Sequence, residues 1–212
     1  MCMRVTSLFV FIAISFSCIG QKQDADGFAP VFSDPSLNIS ERWVEFPGKK
    51  PAVISREFKS EFTINAPIYR IISLIKDEEQ VKLWQQHIRA YKIYPKKDTT
   101  VWDEYSCRDI PWPLSDQDSF LEYKLIEVTH GKEYLVDFKS TVDQKVAPLN
   151  DDIHRIELVG SWKFVLTSPG VVRVVYRIQS APATSLPRMI IDPVVRNNLV
   201  ASIKSLTEIA EK

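Results

Sequence analysis

The chain has 212 residues, 45% of them hydrophobic, which is enough apolar side chain for one full core. Lys+Arg and Asp+Glu both number 27, so the formal charge is zero. That balance gives no support to nucleic-acid binding, which leans on excess positive charge.

The N-terminus holds a local signal. Arg4 precedes an apolar run, Val5 to Phe16, broken by Thr6, Ser7 and Ser15. A membrane-spanning helix needs roughly 20 apolar residues, so the run has instead the length of a signal-peptide core. Small residues follow, Ser17-Cys18-Ile19-Gly20, and then the polar Gln21-Lys22-Gln23-Asp24. Residues 1–20 are read as a signal peptide, 21–39 as a polar leader, and 40–212 as the folded domain. The protein is expected to be exported, to the periplasm or as a secreted chain. Two processing readings stand. Cleavage after Gly20 releases a soluble chain; cleavage before Cys18 leaves a lipidated cysteine and a membrane-anchored lipoprotein. Cleavage after Gly20 leaves Cys107 alone, with no disulfide framework. Cys107 reads as a small buried apolar residue.

The elements follow in order. Asn38 to Phe46 is read as a short helix anchored by Trp43, ended by the turn Pro47-Gly48-Lys49-Lys50-Pro51. A strand comes next, with Phe58, Phe62 and Ile64 on one side and Lys59 and Glu61 on the other. Asn65 is placed as the N-cap of a helix carrying Ile68, Ile71, Ile72 and Ile75. Asp77-Glu78-Glu79 opens a second helix, acidic at its positive end, with Val81 and Trp84. Strands are expected at 99–108, 119–128, 133–140, 155–166 and 171–179. Short turns join several of them, which implies antiparallel pairing. The segment 92–97 reads as a solvated strand edge. Asp192-Pro193 is read as the start of a last helix. Its apolar stripe, Ile191, Val195, Leu199, Ile203, Leu206 and Ala210, must lie on something apolar, and the sheet is the nearest candidate.

Pattern alone gives an α+β fold. Motifs extend it. The stretch 110–118, Ile-Pro-Trp-Pro-Leu-Ser-Asp-Gln-Asp, resembles the Pro-Trp-Pro-Leu-Ser-x-Arg-Asp segment of the START (StAR-related lipid-transfer) family. Ile64-Asn65-Ala66-Pro67 with Ile75-Lys76-Asp77, Ile153-His154-Arg155-Ile156 with Trp162, and Leu186-Pro187-Arg188-Met189-Ile190-Ile191 resemble further family segments in the right order. The resemblance spans residues 40–212. It implies a START-like helix-grip fold of the Bet v 1-like superfamily, a curved antiparallel sheet wrapped around a long C-terminal helix. It implies non-catalytic binding or transport of a lipid or other hydrophobic small molecule, with the last helix as a lid. Gln117 departs from the family pattern, which has Arg there, and puts any charged ligand contact at that position in doubt.

Inward-facing ligand contacts are assigned to Tyr105, Tyr123, Phe138, Leu158, Trp162 and Tyr176 on the strands. Ile190, Val195, Leu199 and Ile203 on the last helix face them. Trp112 is read as filling space at a strand crossing, with ligand contact as the alternative. Arg155 is out of phase with Ile156 and Leu158, so it reads as a structural cross-strand partner facing away. Asp116 and Asp118 read as turn chemistry. His87, His130 and His154 lack metal-ligand spacing, and no phosphate-cradling loop or nucleophile motif is found. No catalytic residue, cofactor or metal is assigned. A monomer that meets a lipid, and also a membrane surface, is expected. Two alternatives stand: a polyketide cyclase/dehydrase-like enzyme of the same superfamily, and an interaction module whose cavity is filled by side chains.

Overall fold

A computed structural model of the chain describes residues 23–112, 115–150, 152–181 and 187–212. The leader reading for 1–20 and the Cys18 lipidation site lie outside these residues. Ten strands form a single sheet: β1 Ala29–Ser33, β2 Leu37–Glu45, β3 Ile54–Ile64, β4 Ile88–Pro95, β5 Val101–Arg108, β6 Gln117–Thr129, β7 Glu133–Ser140, β8 His154–Arg155, β9 Leu158–Ser168 and β10 Val171–Ser180. Helices α1 Ile68–Ile75 and α2 Glu78–Trp84 follow β3, and α3 Arg188–Ala210 ends the fold. The strand order is β1-β2-β3-β10-β9-β7-β6-β5-β4, with β8 pairing parallel to β6. The main path is antiparallel and unclosed: β1 and β4 are its free edges. The sheet curves, and α3 lies against its concave face.

Three expectations change. Residues 38–46 are strand, not helix: β2 alternates Leu37 and Ile39 inward and pairs with β3. Trp43 is half exposed and covered by the guanidinium groups of Arg56 and Arg188. The β1–β2 hairpin therefore brings part of the expected leader into the domain. Asn65 does not cap α1; Pro67 holds that position, and the Asn65 N–H and Nδ2 both donate to Glu211 Oε1 at the end of α3. Helix α3 begins at Arg188, over a turn before Asp192, so Pro193 lies inside it. A proline this near the N-terminus disturbs the helix little, because first-turn N–H groups have no partner and Pro193 forfeits only one bond just beyond them. Asp77 caps α2 as expected, accepting from the N–H groups of Glu79 and Gln80.

The concave face carries a ladder of rings across five strands. Tyr123 stacks between Trp102 at 5.2 Å and Phe138 at 5.1 Å. Phe138 meets Tyr176 at 6.3 Å, and Tyr176 stacks on Trp162 at 3.9 Å. Such cross-strand ring pairs stabilise the register and bury large apolar area. Gly160 makes the ladder possible, because the Phe138 ring lies over its backbone. A Cβ at this position would stand 2.5 Å from Phe138 Cζ and 2.2 Å from the Arg177 carbonyl oxygen. Gly160→Ala should therefore overpack the sheet and lower stability by about 1–3 kcal/mol in chemical denaturation. An unchanged denaturation midpoint would contradict this packing.

Candidate functional site

A cavity of about 410 Å³ lies between the sheet and the N-terminal half of α3. Its floor is the ring ladder, with Tyr123, Phe138, Trp162 and Tyr176 in the wall. Leu158 joins them from β9, and Val195, Leu199 and Ile203 close it from α3. Strand alternation and helical spacing place these side chains there, as read from the sequence. Because the cavity is open space, it is not the plugged interior of the interaction-module reading.

Two assigned contacts lie elsewhere. Tyr105 is on the convex face, beside Asp118 and Arg155. Burial, then the Asp118 charge, pushes its hydroxyl up to about 12. The concave side of β5 is instead Trp102, Glu104, Ser106 and Arg108. Ile190 is 41% exposed and does not line the cavity. It sits roughly 100° around the helix from Ile191, which does.

The Pro-Trp-Pro segment also differs from expectation. Trp112 is 91% exposed and fills no core space. Asp118 is not turn chemistry: it accepts two hydrogen bonds from Arg155, Nε at 2.7 Å and Nη2 at 2.8 Å, on the convex side. Arg155 thus faces away from the cavity as read. Asp116 does hold its loop, accepting from the Ile110 N–H and pairing with Arg89. Cys107 is buried, with its Sγ 3.1 Å from Arg89 Nη2.

The polar side of the cavity went unread in the sequence. Glu104 is fully buried there. Its carboxylate accepts from Tyr91 Oη at 2.6 Å and is hydrogen-bonded by Tyr123. Burial raises the Glu104 carboxyl, while the tyrosine bonds and the Arg108 charge pull it back. Burial, and next the Glu104 charge, raises both tyrosine hydroxyls well above their usual range. Arg108 donates to Gln85 Oε1 at 2.6 Å and to Ser106 Oγ at 3.3 Å. Gln117 faces Arg108 in register from β6 and also lines the cavity. Strand phase could have found this set: Trp102, Glu104, Ser106 and Arg108 alternate. The opposing set, Val101, Asp103, Tyr105 and Cys107, is the more apolar, so the pattern pointed to the other face.

Helix α3 is held differently at its two ends. At the C-terminal end Ile203, Leu206 and Ala210 are buried, and Arg70 donates to the Ala210 and Ile209 carbonyls at 2.7 and 3.0 Å. Such donors satisfy the last carbonyls of a helix. At the N-terminal end no residue before Ile203 is buried. Ion pairs hold it instead: Asp192 with Arg56, and Arg188 with Glu41 at 2.7 Å.

Among the described residues no three His, Cys, Asp or Glu side chains gather as a metal site. No family model matches the chain. An uncharacterized protein of Pseudomonas aeruginosa is 24% identical over 158 residues, 74% of this chain and 76% of that protein. The STAR-related lipid transfer protein (fragment 25–204) of Xanthomonas axonopodis superimposes with a TM-score of 0.72 at 21% identity, over 88% of this chain and all of that one. Human StAR-related lipid transfer protein 5 gives a TM-score of 0.74 at 14% identity, over 88% of each chain. These likenesses establish the fold: the chain has the START-like helix-grip fold, with its large antiparallel sheet curved around the C-terminal helix.

The raised Glu104 carboxyl has a consequence for stability. A carboxyl whose folded pKa lies above its unfolded value costs stability as pH rises through that interval. Glu104→Gln removes the cost. Its melting temperature relative to wild type should climb from about pH 4 upward, as pH rises through the raised Glu104 value, and then level off. A difference that stays flat as pH rises would contradict a buried Glu104 whose carboxyl is raised.

Proposed function

We propose that this protein binds a lipid or other hydrophobic molecule in the cavity beneath α3 and does no chemistry on it. The supporting observation is the cavity itself, walled by rings and aliphatic side chains, with a small polar group set at one side. Mostly apolar pockets with a few placed polar groups suit apolar ligands that need one orientation. The ring ladder takes the apolar body, and the Glu104–Arg108–Gln117 side takes the polar end. Entry requires α3 to move, and its ion-paired N-terminal half is the part free to swing, with the C-terminal half as hinge. That the solved relatives named above are lipid transfer proteins points the same way by analogy of fold. The apolar run Val5 to Phe16 supports a place of work outside the cytoplasm.

Filling the cavity tests the proposal. Leu199→Trp projects an indole into the space from α3 without touching the buried C-terminal anchor. Displacement of a fluorescent fatty-acid probe should fall at least about tenfold in affinity, while the cooperative unfolding transition is kept. Unchanged binding by a folded variant would place the ligand elsewhere.

A second reading rests on Glu104. A buried carboxyl with a raised pKa beside a guanidinium is a feature of acid–base sites. Incubation with a poly-β-ketone thioester separates the two. The binding reading expects the compound back unchanged; cyclised product, lost in Glu104→Gln, would favour the enzyme.

A further inference from the structure

Three arginines line the cavity: Arg56, Arg108 and Arg188. Arg56 and Arg188 lie at the N-terminal end of α3 and are neutralised by Glu41 and Asp192. Arg108 is not. Its two hydrogen-bond acceptors, Gln85 and Ser106, are neutral. Among the described residues no carboxylate lies within 4 Å of it.

Glu104 feels the Arg108 charge through space but forms no salt bridge with it. It lies four residues back on the same face of β5, and the Arg108 guanidinium reaches along that face only as far as Ser106 Oγ. Its carboxylate is engaged instead by the hydroxyls of Tyr91 and Tyr123. Burial also weakens its tendency to ionise. Among the described residues the cavity therefore contains a guanidinium whose direct hydrogen-bond partners are all neutral, in a largely apolar wall. Leaving such a charge unpaired is costly, and pairing it with a hydrogen-bonded anion removes most of that cost. Gln117 faces Arg108 across the β5–β6 pair and adds amide donors on the same side.

We infer that the ligand is an acidic amphiphile, an apolar body ending in one anionic head that sits on Arg108. This rests on the binding function proposed above and narrows its ligand class. A carboxylate or a phosphate monoester supplies the required chemistry, since both match the planar guanidinium fork with two oxygens. The head is flanked by Gln85 and Gln117, and the body runs over Trp162 and Tyr176 beneath Leu199.

Calorimetric titration with palmitate, hexadecyl phosphate and hexadecanol tests this on the full chain. At least one of the two acids should bind about tenfold or more tightly than the alcohol. The acid with the larger margin identifies the head group. Arg108→Gln should reduce that margin to less than about threefold, with the acid losing more affinity than hexadecanol. Arg108→Lys, which keeps the charge, should retain part of the margin. Equal binding of acids and alcohol by the wild-type protein would overturn the inference and leave the apolar cavity reading intact. So would a margin that survives in Arg108→Gln. Binding of none of the three would overturn both. If Arg108→Gln fails to fold, the wild-type comparison decides alone.

Discussion

The cavity exists because helix α3 packs tightly on the sheet along only part of its length. Ile203, Leu206 and Ala210 lock its C-terminal end into the core, and Arg70 caps its last carbonyls. Ahead of Ile203 the helix stands over the cavity, and its apolar stripe packs on the core only in part. A helix face of Ile191, Val195 and Leu199 left over open space is a standing demand for apolar contact. Salt links between Arg56, Asp192, Glu41 and Arg188 hold this half over the opening. On the helix itself the ion-paired groups, Arg188 and Asp192, are partly exposed and no side chain ahead of Ile203 is buried, so that half of the helix is the less firmly packed one.

The floor is fixed by contrast. Rings from five strands stack across the concave face, and Gly160 gives Phe138 the room to lie flat. A rigid aromatic floor under a less firmly packed helix is the arrangement that admits a ligand without rebuilding the sheet. Against that apolar background the few polar side chains determine orientation. Glu104 is satisfied by two tyrosines, whereas Arg108 reaches only neutral acceptors. The difference between these two groups distinguishes the polar end of the cavity from a merely structural hydrogen-bond network.

Much of this was legible in the chain. Strands β5, β6, β7, β9 and β10, both short helices and the stripe of α3 follow from period-2 and period-3.6 patterns, and the Pro-Trp-Pro segment pointed to the helix-grip arrangement; the strand expected over 155–166 is instead broken at 156–157, where the short β8 pairs parallel to β6. The misses have physical causes. Residues 38–46 carry polar and apolar side chains at spacings that suit either a helix or an edge-side strand, and pairing with β3 decided it. Tyr105 reads as inward because its phase of β5, with Val101 and Cys107, is the more apolar one, yet that phase faces the convex side. Ile190 was lost when α3 began over a turn earlier than its Asp-Pro signal. Glu104 and Arg108 went unassigned because a charged residue in a strand reads as solvent-facing, and only the curvature of the sheet around α3 turns that face inward.

The central claim is that one apolar molecule is enclosed beneath α3, and native mass spectrometry of the protein mixed with a single-chain fatty acid tests it most directly. The account predicts a single adduct of one ligand per chain that persists as ligand concentration is raised. No adduct, or a ladder of adducts growing with concentration as surface adsorption gives, would contradict it.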